Sequence, residues 1–396
     1  MISIANTTDI LLAPEVNWGE MSNGAYIALP ILTETIVPEK RLFQPTHLGS
    51  QRNRAEPVTT ETLVAGDLEA MASASLLRQL FPLALRGAIT VASAKVTTAQ
   101  IGADGTIPVP DIMRDKVQFG DVVWIESDKG KVVGFHDVID PDKDTSTAGG
   151  EHELRIGGLP QTLPNEGSIS IGHASLHSGK NLSSVTLARR YGQGSDWMFF
   201  HGMMIRRLVL DLAETDLPAV TASFLGRSMK LQTTAPETVS EDETGDVGGP
   251  LGLGADLQRL ELKNLDDSSG FTLNTVVLTR LRLIVDHAGM SPQFALGDLA
   301  PVALLSGQLS VHGMIEVLIT DAMLFAALNE EKQYRLTFTL QDTTGGGCAI
   351  IIPSVLIDAV EGAVSPVDGP VRVRFHFRAV TSETRTSLIK IFFDER

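Results

Sequence analysis

The chain has 396 residues, 43% of them hydrophobic, and a formal net charge of −16. This length exceeds one ordinary domain and can support more than one hydrophobic core. The acidic balance argues against a general role in gripping nucleic acid, because affinity for the phosphate backbone comes mainly from Lys and Arg. Cys348 is the only cysteine, so no intrachain disulfide can form and folding in a reducing cytosol is expected.

The composition also predicts the fold class. Thirty-six Gly and 19 Pro are scattered between short Val, Ile, Leu and Thr runs, which indicates a β-rich chain with many turns. The longest apolar stretch, Cys348 to Val360, contains Pro353 and Asp358 and is too short to span a bilayer. The first residues lack a basic region followed by an apolar core, so we expect no secretory signal.

In chain order, Tyr26 to Thr35 is the first predicted strand, and a long polar stretch from Ile36 to Thr62 follows it. A stretch of this length without evident secondary structure usually serves contacts. Gly66-Asp67-Leu68 then begins a strand that leads into a short apolar helix over Ser75 to Leu85, with a plausible N-cap residue before it.

Residues 88–180 are predicted to form an inserted small β domain. Within it, Asp121 to Ile125 and Lys131 to Val133 flank a Gly-containing turn, the pattern of a β-hairpin. Asp140 to Gly150 is rich in Asp, Thr and Gly, and we expect a mobile loop there.

The remaining residues are predicted to form a linker and more strands. Residues 241–255 are acidic and then Gly-rich, which is typical of a flexible linker. Farther on, Val371, Val373, Phe375 and Phe377 alternate with Arg372, Arg374, His376 and Arg378. This period of two puts the apolar side chains on one face of a sheet and the basic ones on the other. Tyr334 to Gln341 and Thr279 to Leu283 show the same alternation.

The two ends of the chain repeat one order of elements. Val185-Thr186-Leu187, Trp197 to Phe200 and Pro218 have counterparts in Leu336-Thr337-Phe338, Ala349 to Ile352 and Pro370, 151 to 152 residues later. Gly66 finds its counterpart in Gly307, before a second helix over Asp321 to Asn329, and the larger offset implies an insertion of about 90 residues in the first copy. We therefore predict a discontinuous first domain over residues 1–87 and 181–240, an inserted domain over 88–180, a linker over 241–255 and a second domain over 256–396.

No catalytic, cofactor-binding or metal-binding residue is predicted. His173 and His177 are four residues apart, but the Ser and Gly around them disfavour a helix and no Glu completes a zinc motif. Gly172 to Lys180 lacks the glycine spacing of a phosphate-binding loop, and Gly252-Leu253-Gly254 does not continue as a dinucleotide fingerprint. Ser195, Asp196 and His201 lie close in sequence without a nucleophile elbow. Glu151-His152-Glu153 and Asp266-Asp267 are interpreted as solvated loop and turn residues.

The order of elements resembles that of the tail tube proteins of long-tailed bacteriophages. The resemblance rests on Gly66-Asp67-Leu68 before the helix, Val185 to Arg189, a turn at Gly192 to Gly194, Phe199 to Leu208, and a closing strand at Ser223 to Arg227. It implies a mainly β fold with two tandem tail-tube-like antiparallel sandwich or barrel domains, each with a short helix, plus the inserted β domain.

The resemblance also implies a structural virion protein, made and assembled in the host cytoplasm, rather than an enzyme. Its copies would polymerise into stacked rings around a hollow bore that conducts the genome into the host, without specific DNA binding, a cofactor or membrane insertion. With two tube domains per chain, three chains would form a pseudo-sixfold ring, and six chains are the alternative. Tail terminator, tape measure and distal tail proteins would be the other partners.

Three expectations follow for particular segments. The bore should be neutral or acidic, so the row of Arg372, Arg374 and Arg378 should point away from it, toward acidic groups of a neighbour. The stretch Ile36 to Thr62 should contact the adjacent ring, and its deletion should leave folded chains that do not polymerise. The inserted domain should project outward as decoration, and its removal should spare assembly.

Two other classes remain open on the sequence. A monomeric β-sandwich that binds carbohydrate or a cell surface would share the strand patterns but would not need duplicated halves. A baseplate or terminator protein, or the tube protein of a contractile injection or type VI secretion system, would share the fold.

Overall fold

A computed structural model describes most of the chain. The described residues are 9–44, 56–97, 106–110, 113, 116–127, 133–143, 151–156, 167–191, 196–214, 216–238, 251, 257–265, 270–272, 277–318, 332–341, 346–363, 371–381 and 387–394.

The described chain is built mainly of antiparallel β-strands with one short helix, as the composition predicted. The first part contains β1 (Asp9–Pro14), β2 (Ile27–Ala28), β3 (Ile31–Glu34), β4 (Val37–Phe43), β5 (Val58–Met71) and helix α1 (Ala74–Leu85). The inserted part contains β6 (Thr90–Thr97), β7 (Thr106–Pro110), β8 (Val122–Ser127), β9 (Val133–Lys143), β10 (Glu151–Ile156) and β11 (Ser168–His177).

The part of the chain after the insertion begins with β12 (Val185–Arg190), β13 (Trp197–Ala213), β14 (Ala219–Gly226) and β15 (Ser228–Gln232). The last part contains β16 (Leu257–Asn264), β17 (Gly270–Thr272), β18 (Val277–Ala288), β19 (Ser291–Gln293), β20 (Ala303–Leu305), β21 (Gln308–Leu318), β22 (Tyr334–Gln341), β23 (Gly347–Ala363), β24 (Arg372–Ala379) and β25 (Lys390–Phe393).

One order of strand pairing occurs twice along the chain. In the first half, β1 pairs with β12, and the series continues through β13, β14 and β5 to β3 and β4. In the second half, β16 pairs with β22, and the series continues through β23, β24 and β21 to β18. The β-bulge between Ile205 and Arg207 recurs between Ile357 and Ala359. We call the first series module A and the second module B.

The pairing corrects the sequence alignment between the modules at two places. Leu187 lies opposite Phe200 and Leu336 lies opposite the equivalent Ile352, so Leu336, not Phe338, corresponds to Leu187. Gly66 lies opposite Phe224, and the glycine opposite the equivalent Phe377 is Gly313, not Gly307. A Cβ on Gly66 would lie 2.6 Å from the Thr35 carbonyl oxygen, and one on Gly313 would lie 2.1 Å from the Arg282 carbonyl oxygen. Because both positions leave no room for a side chain, the repeated glycine marks the same crowded strand crossing.

Helix α1 covers the apolar face of the sheet. It begins where the Ser73 hydroxyl accepts a hydrogen bond from Leu76 N–H at 3.2 Å, so the predicted helix and its serine N-cap are confirmed. Leu76, Leu77, Leu80 and Phe81 are buried in one hydrophobic core that contains strands of both modules. The helix predicted over Asp321 to Asn329 lies outside the described residues.

The inserted strands have a core of their own and also join the second module. Val123, Ile125, Ile169 and Ile171 belong to a separate hydrophobic cluster of the insertion. Strand β11, however, pairs with β25 from Ala174 to His177, and Ala174 and Leu176 lie in the main core. Excising residues 88–180 would therefore expose one side of β25 and open the main core. The expectation that removing the insertion spares assembly stays a prediction, and this arrangement argues against it.

Three predicted irregular segments differ in the structure. Ile36 to Thr62 includes β4 and the start of β5, which form a hairpin, and Ile36 is only 1% exposed. Deleting the whole stretch would thus remove core residues along with any contact surface. Asp140 to Lys143 belongs to β9, while 144–150 lie outside the described residues. In the predicted linker, Leu251 is buried and its N–H donates to the Ala72 carbonyl at 2.8 Å, which anchors the segment there.

Candidate assembly interface

The two modules are joined edge to edge by a seam between β13 and β18. The paired residues run from Arg207 opposite Asp286 to Ala213 opposite Arg280. Leu210 lies opposite Leu283, and these side chains are 2% and 1% exposed. The Glu214 N–H donates to the Thr279 carbonyl at 2.9 Å, which continues the ladder beyond the paired strands. The seam therefore makes one continuous sheet from two copies of one module.

The face of this sheet opposite the core carries compensated charges. Across module B, Arg280, Glu316, Arg374 and Glu361 lie side by side on four neighbouring strands, with alternating signs. The Arg374 Nε to Glu316 Oε2 distance is 2.5 Å, and Arg280 Nη2 lies 2.5 Å from Asp211 Oδ2 across the seam. Opposite charges on adjacent strands stabilise the sheet and neutralise each other.

Acidic partners are present for each arginine of the predicted row. Arg372 pairs with Glu214 at 2.7 Å and Glu316 at 3.4 Å, and Arg378 pairs with Asp358 at 3.3 Å. These partners belong to the same chain, whereas the expected partners were acidic groups of a neighbour. Five arginines face five carboxylates on this surface, which we call the polar face: Arg280, Arg282, Arg372, Arg374, Arg378, Asp211, Glu214, Glu316, Asp358 and Glu361.

Glu316 is the central anion of the polar face, with a side chain only 7% exposed. Burial raises the pKa of Glu316, but hydrogen bonds from Arg374 and from the Thr279 hydroxyl outweigh it, and its pKa lies below the ordinary value. The hydrogen bond to Asp211 likewise raises the pKa of Arg280. Glu316 and Arg280 therefore both stay ionised at neutral pH.

Each module also has one strand edge whose other side is open. Among the described residues, β4 pairs only with β5, and all seven β4 residues are exposed. In β23, residues Ala359 to Ala363 pair only with β24 within the described chain, and Asp358, Ala359, Glu361 and Gly362 are exposed. In module A, the equivalent half of β13 is the part that pairs with β18. Module A therefore offers one open edge and module B the complementary one.

Side chains of module A occupy part of the β4 edge. The Glu34 carboxylate accepts the Ile36 N–H at 2.7 Å, and Arg189 Nη1 donates to the Ile36 carbonyl at 2.9 Å. Glu34 and Arg189 are themselves ion-paired, and both are largely buried. In module B the equivalent positions are Leu281 and Phe338, which are buried apolar residues. A charged pair thus stands where a partner strand is missing.

A scan against protein-family models matches residues 5–379 to the family described as phage tail tube protein. The chain belongs to the phage tail tube family. A search of curated proteins finds no match to it. The family match covers both modules and the insertion, so it supports the resemblance found from the element order.

A tail tube protein is a structural component of the virion tail, and its family assembles itself into a polymeric tube. It is not a family of enzymes. No helix in the described part of the chain is long and apolar enough to cross a membrane. The two open edges are our candidates for the surfaces that take part in assembly.

The histidines considered in the sequence have structural surroundings. His173 and His177 lie on strand β11, not on a helix. His173 Nε2 is 3.6 Å from Asp121 Oδ2, and Lys390 Nζ is 2.7 Å from Asp121 Oδ1. Burial raises the pKa of Asp121, but the nearby His173 imidazole and the Lys390 ammonium, which donates a hydrogen bond to the carboxylate, outweigh burial, so the pKa of Asp121 is lowered. This cluster fastens the insertion to β25.

Of the other residues considered in the sequence, His201 has structural contacts. His201 binds the Gly19 carbonyl and the Ser228 hydroxyl, at 3.0 and 2.9 Å, and Ser195 lies outside the described residues. Within the described chain, no group of His, Cys, Asp and Glu could hold a metal ion. Asp266, Asp267 and Gly252 to Gly254 also lie outside the described residues.

Sequence reasoning found the arginine row but missed its carboxylates and the Glu34–Arg189 pair. Glu316 could have been found, because Val311, Gly313, Ile315 and Val317 alternate with His312, Met314 and Glu316, which places Glu316 on the face opposite the core. Glu34 and Arg189 are 155 residues apart, and no pattern in the sequence connects them.

Proposed function

We propose that three copies of this chain close into a pseudo-sixfold ring and that the rings stack into the hollow tail tube that conducts the genome. The observation that carries this proposal is the β13–β18 seam, which joins two copies of one module edge to edge and leaves one open edge at each end. An interface of this head-to-tail kind repeats until it closes a ring or grows into a filament. Closure also removes the open sheet edges that invite uncontrolled pairing.

The distribution of mass supports one orientation of the sheet. Helix α1 and parts of β11, β22 and β25 all pack into the core on the apolar side. The polar face is uncovered, with Arg374 51% and Arg378 68% exposed. A closed ring has more room on its convex side, so the bulky apolar side lies outside and the polar face lines the bore. This replaces the expectation that the arginine row points away from the channel.

The charge of the proposed lining suits passage of a duplex. Double-stranded DNA carries one negative charge per ~1.7 Å of axis, and uncompensated arginines would hold it by releasing counterions. The five arginines of the polar face are each within 3.6 Å of a carboxylate, and module A contributes Asp67 and Glu69 next to neutral Thr221 and Ser223. Such a lining is close to neutral or acidic.

The exposed hairpin of β4 and β5 is our candidate for contact between stacked rings. Leu42, Phe43 and Val58 at its outer end are 57%, 60% and 59% exposed. Large apolar side chains exposed together mark a surface that another protein covers. A Leu42→Ser, Phe43→Ser double variant should give single rings in place of stacked tubes, and full-length tubes from this variant would remove the assignment.

Negative-stain electron microscopy of the purified full chain tests the proposed function. We expect rings or tubes with a central hole, and class averages should show three chains in each ring. Six chains in each ring would contradict the proposed stoichiometry. A monodisperse, solid particle of about 42.5 kDa at every concentration would contradict the assembly itself and favour the monomeric binding module.

A further inference from the structure

We infer that neighbouring copies join by the same strand register as the β13–β18 seam, with the β3–β4 edge of one copy added to β23 of the next. This inference rests on the proposed function for the existence of a ring, and it adds the identity and register of the joining strands. The partner at both open edges is a second copy of this chain.

The register follows from residues that are equivalent in the two modules. Strands β3 and β4 lie against β5 as β18 lies against β21, and in both pairs a bulge occurs at the equivalent place, at Leu32 and at Thr279. Ile36 corresponds to Leu283 and Gly362 to Leu210, and in the seam Leu210 lies opposite Leu283. Gly362 of one copy therefore lies opposite Ile36 of the next.

The rest of the ladder is fixed by this pair. Glu361 lies opposite Val37, Val360 opposite Pro38 and Ala359 opposite Glu39, as Val209, Leu208 and Arg207 lie opposite Ile284, Val285 and Asp286 within one chain. No two like charges are directly opposed in this register. One residue farther on, Lys40 comes beside Asp358, which adds an attractive pair.

The backbone groups of the β4 edge point the right way for this ladder. The Thr35 N–H donates to the Asp67 carbonyl of β5 at 3.0 Å, so the next residue, Ile36, directs its N–H and C=O to the open side. Pro38 has the same orientation and lacks an N–H, so its rung has one hydrogen bond, in which the Val360 N–H donates to the Pro38 carbonyl. Proline is tolerated at such an edge position, where no N–H is needed by the sheet of its own chain.

The Ile36 groups change partners on assembly. In the single chain they are bound by Glu34 and Arg189, at 2.7 and 2.9 Å. In the ring they bind the backbone N–H and C=O of Gly362, which lie on the side of β23 that does not face β24. The charged pair thus keeps the edge satisfied until a second copy replaces it.

Engineered disulfides test the register. Glu361 and Val37 would form a non-hydrogen-bonded pair, in which Cα atoms are about 4.5 Å apart and a disulfide can form. After mild oxidation, a Val37→Cys, Glu361→Cys chain should give a ladder of covalent oligomers on a non-reducing gel. A Glu39→Cys, Ala359→Cys chain should give the same ladder and serves as an independent pair, on exposed residues, should the first variant fold poorly. Native Cys348 is fully buried and stays in place.

Three controls separate the outcomes. A Val37→Cys, Ala359→Cys chain is two residues out of register and should give at least tenfold less ladder, and each single variant should give none. A Val209→Cys, Ile284→Cys chain should crosslink within one chain without a ladder. Efficient dimers from a single variant, or an out-of-register yield equal to the in-register one, would overturn the inference. Rings in the microscope without any in-register ladder would overturn the register and leave the proposed function intact, whereas an absence of rings would overturn the proposed function.

Discussion

Modules A and B contain the same strands in the same order, but they differ at the edge formed by β3–β4 in one and by β18 in the other. In module B the edge strand is covered, and Ile284 is 8% exposed against β13. In module A the equivalent Val37 is 48% exposed, and all of β4 is open. The difference arises because β18 has its partner strand in the same chain, whereas β4 must find it in another copy.

The residues at the two edges reflect this difference. Where the partner is always present, Leu281 and Phe338 are buried and apolar. Where it is absent before assembly, Glu34 and Arg189 bind the backbone of Ile36. Unpaired strand edges template pairing with other chains, and charged side chains are a common means of controlling them. The same module therefore forms an edge that is paired within its own chain and an edge that needs a second copy as its partner.

The largest effect is expected from a change at the open edge of β23. In a Gly362→Pro chain the N–H that should bind Ile36 of the next copy is gone, while the pairing with β24 does not use this N–H. We expect rings and tubes to be lost, as measured by sedimentation velocity and electron microscopy, with the melting temperature of the single chain little changed. A Gly362→Ala chain is the matched control and should assemble normally. Normal assembly of the proline variant would show that this edge stays open in the tube.

The second prediction compares equivalent residues of the two edges. Ile284→Ala removes buried side-chain volume at the finished seam and should lower the free energy of unfolding of the single chain by about 2–4 kcal/mol. Val37→Ala removes an exposed side chain and should cost the single chain less than about 0.5 kcal/mol, yet it should lower the melting temperature of assembled tubes. Urea unfolding of the two variants and calorimetry of their tubes measure both effects. Equal losses in the single chain would contradict the assigned difference in burial between the edges.

The third prediction gives the open β3–β4 edge the side chains of the paired β18 edge. A Glu34→Leu, Arg189→Phe chain carries the module B residues, so the Ile36 N–H and C=O lose their side-chain partners and are left for another strand. Assembly, followed by light scattering, should start at a several-fold lower protein concentration. Glu39→Gln, a change on the same edge that does not touch Ile36, serves as the control. An unchanged or higher threshold for the double variant would mean that the pair does not restrain assembly.

The smallest effect concerns the polar face, where module B carries arginines that module A lacks at the equivalent positions, as with Arg374 and Thr221. Because the pKa of Glu316 is lower in the folded chain than its ordinary value, its ionisation stabilises the fold above about pH 4.3, and this contribution is lost as the pH falls through the lowered pKa. Glu316→Gln should cost about 1 kcal/mol at pH 7 and flatten the acid part of the stability profile. Chemical unfolding between pH 3 and 7 measures the profile. The Thr221→Val change at the uncharged position of module A should leave that profile as it is, and a Glu316→Gln profile identical to the wild type would refute the ionic contribution.

The sequence predicted the repeated strands well where burial alternates residue by residue. Three predicted segments are strands in the structure: the Arg372 to Arg378 row, Tyr334–Gln341 and the β8–β9 hairpin. They could be predicted because the alternation of apolar and polar residues along a strand is visible in the local sequence. The helix was predictable from its apolar run and its serine cap.

The remaining features depend on contacts between distant residues. The similarity of Gly66-Asp67-Leu68 to Gly307-Gln308-Leu309 suggested the wrong counterpart. The crowded backbone opposite Phe377 requires the glycine at position 313, and this requirement cannot be read from the local sequence. The stretch Ile36 to Thr62 looked irregular because β4 is exposed on both faces and lacks the alternation of a half-buried strand. The joining of the insertion to β25 depends on Asp121 meeting Lys390, 269 residues away.

Cryo-electron microscopy of the assembled tube, at a resolution that separates strands, tests the central claim most directly. The account predicts three chains in each ring, strand density that continues from β23 of one copy into β4 of the next, and Arg374 and Glu316 on the wall of the bore. Rings in which β23 ends without a neighbouring strand, or in which α1 lines the bore, would contradict it.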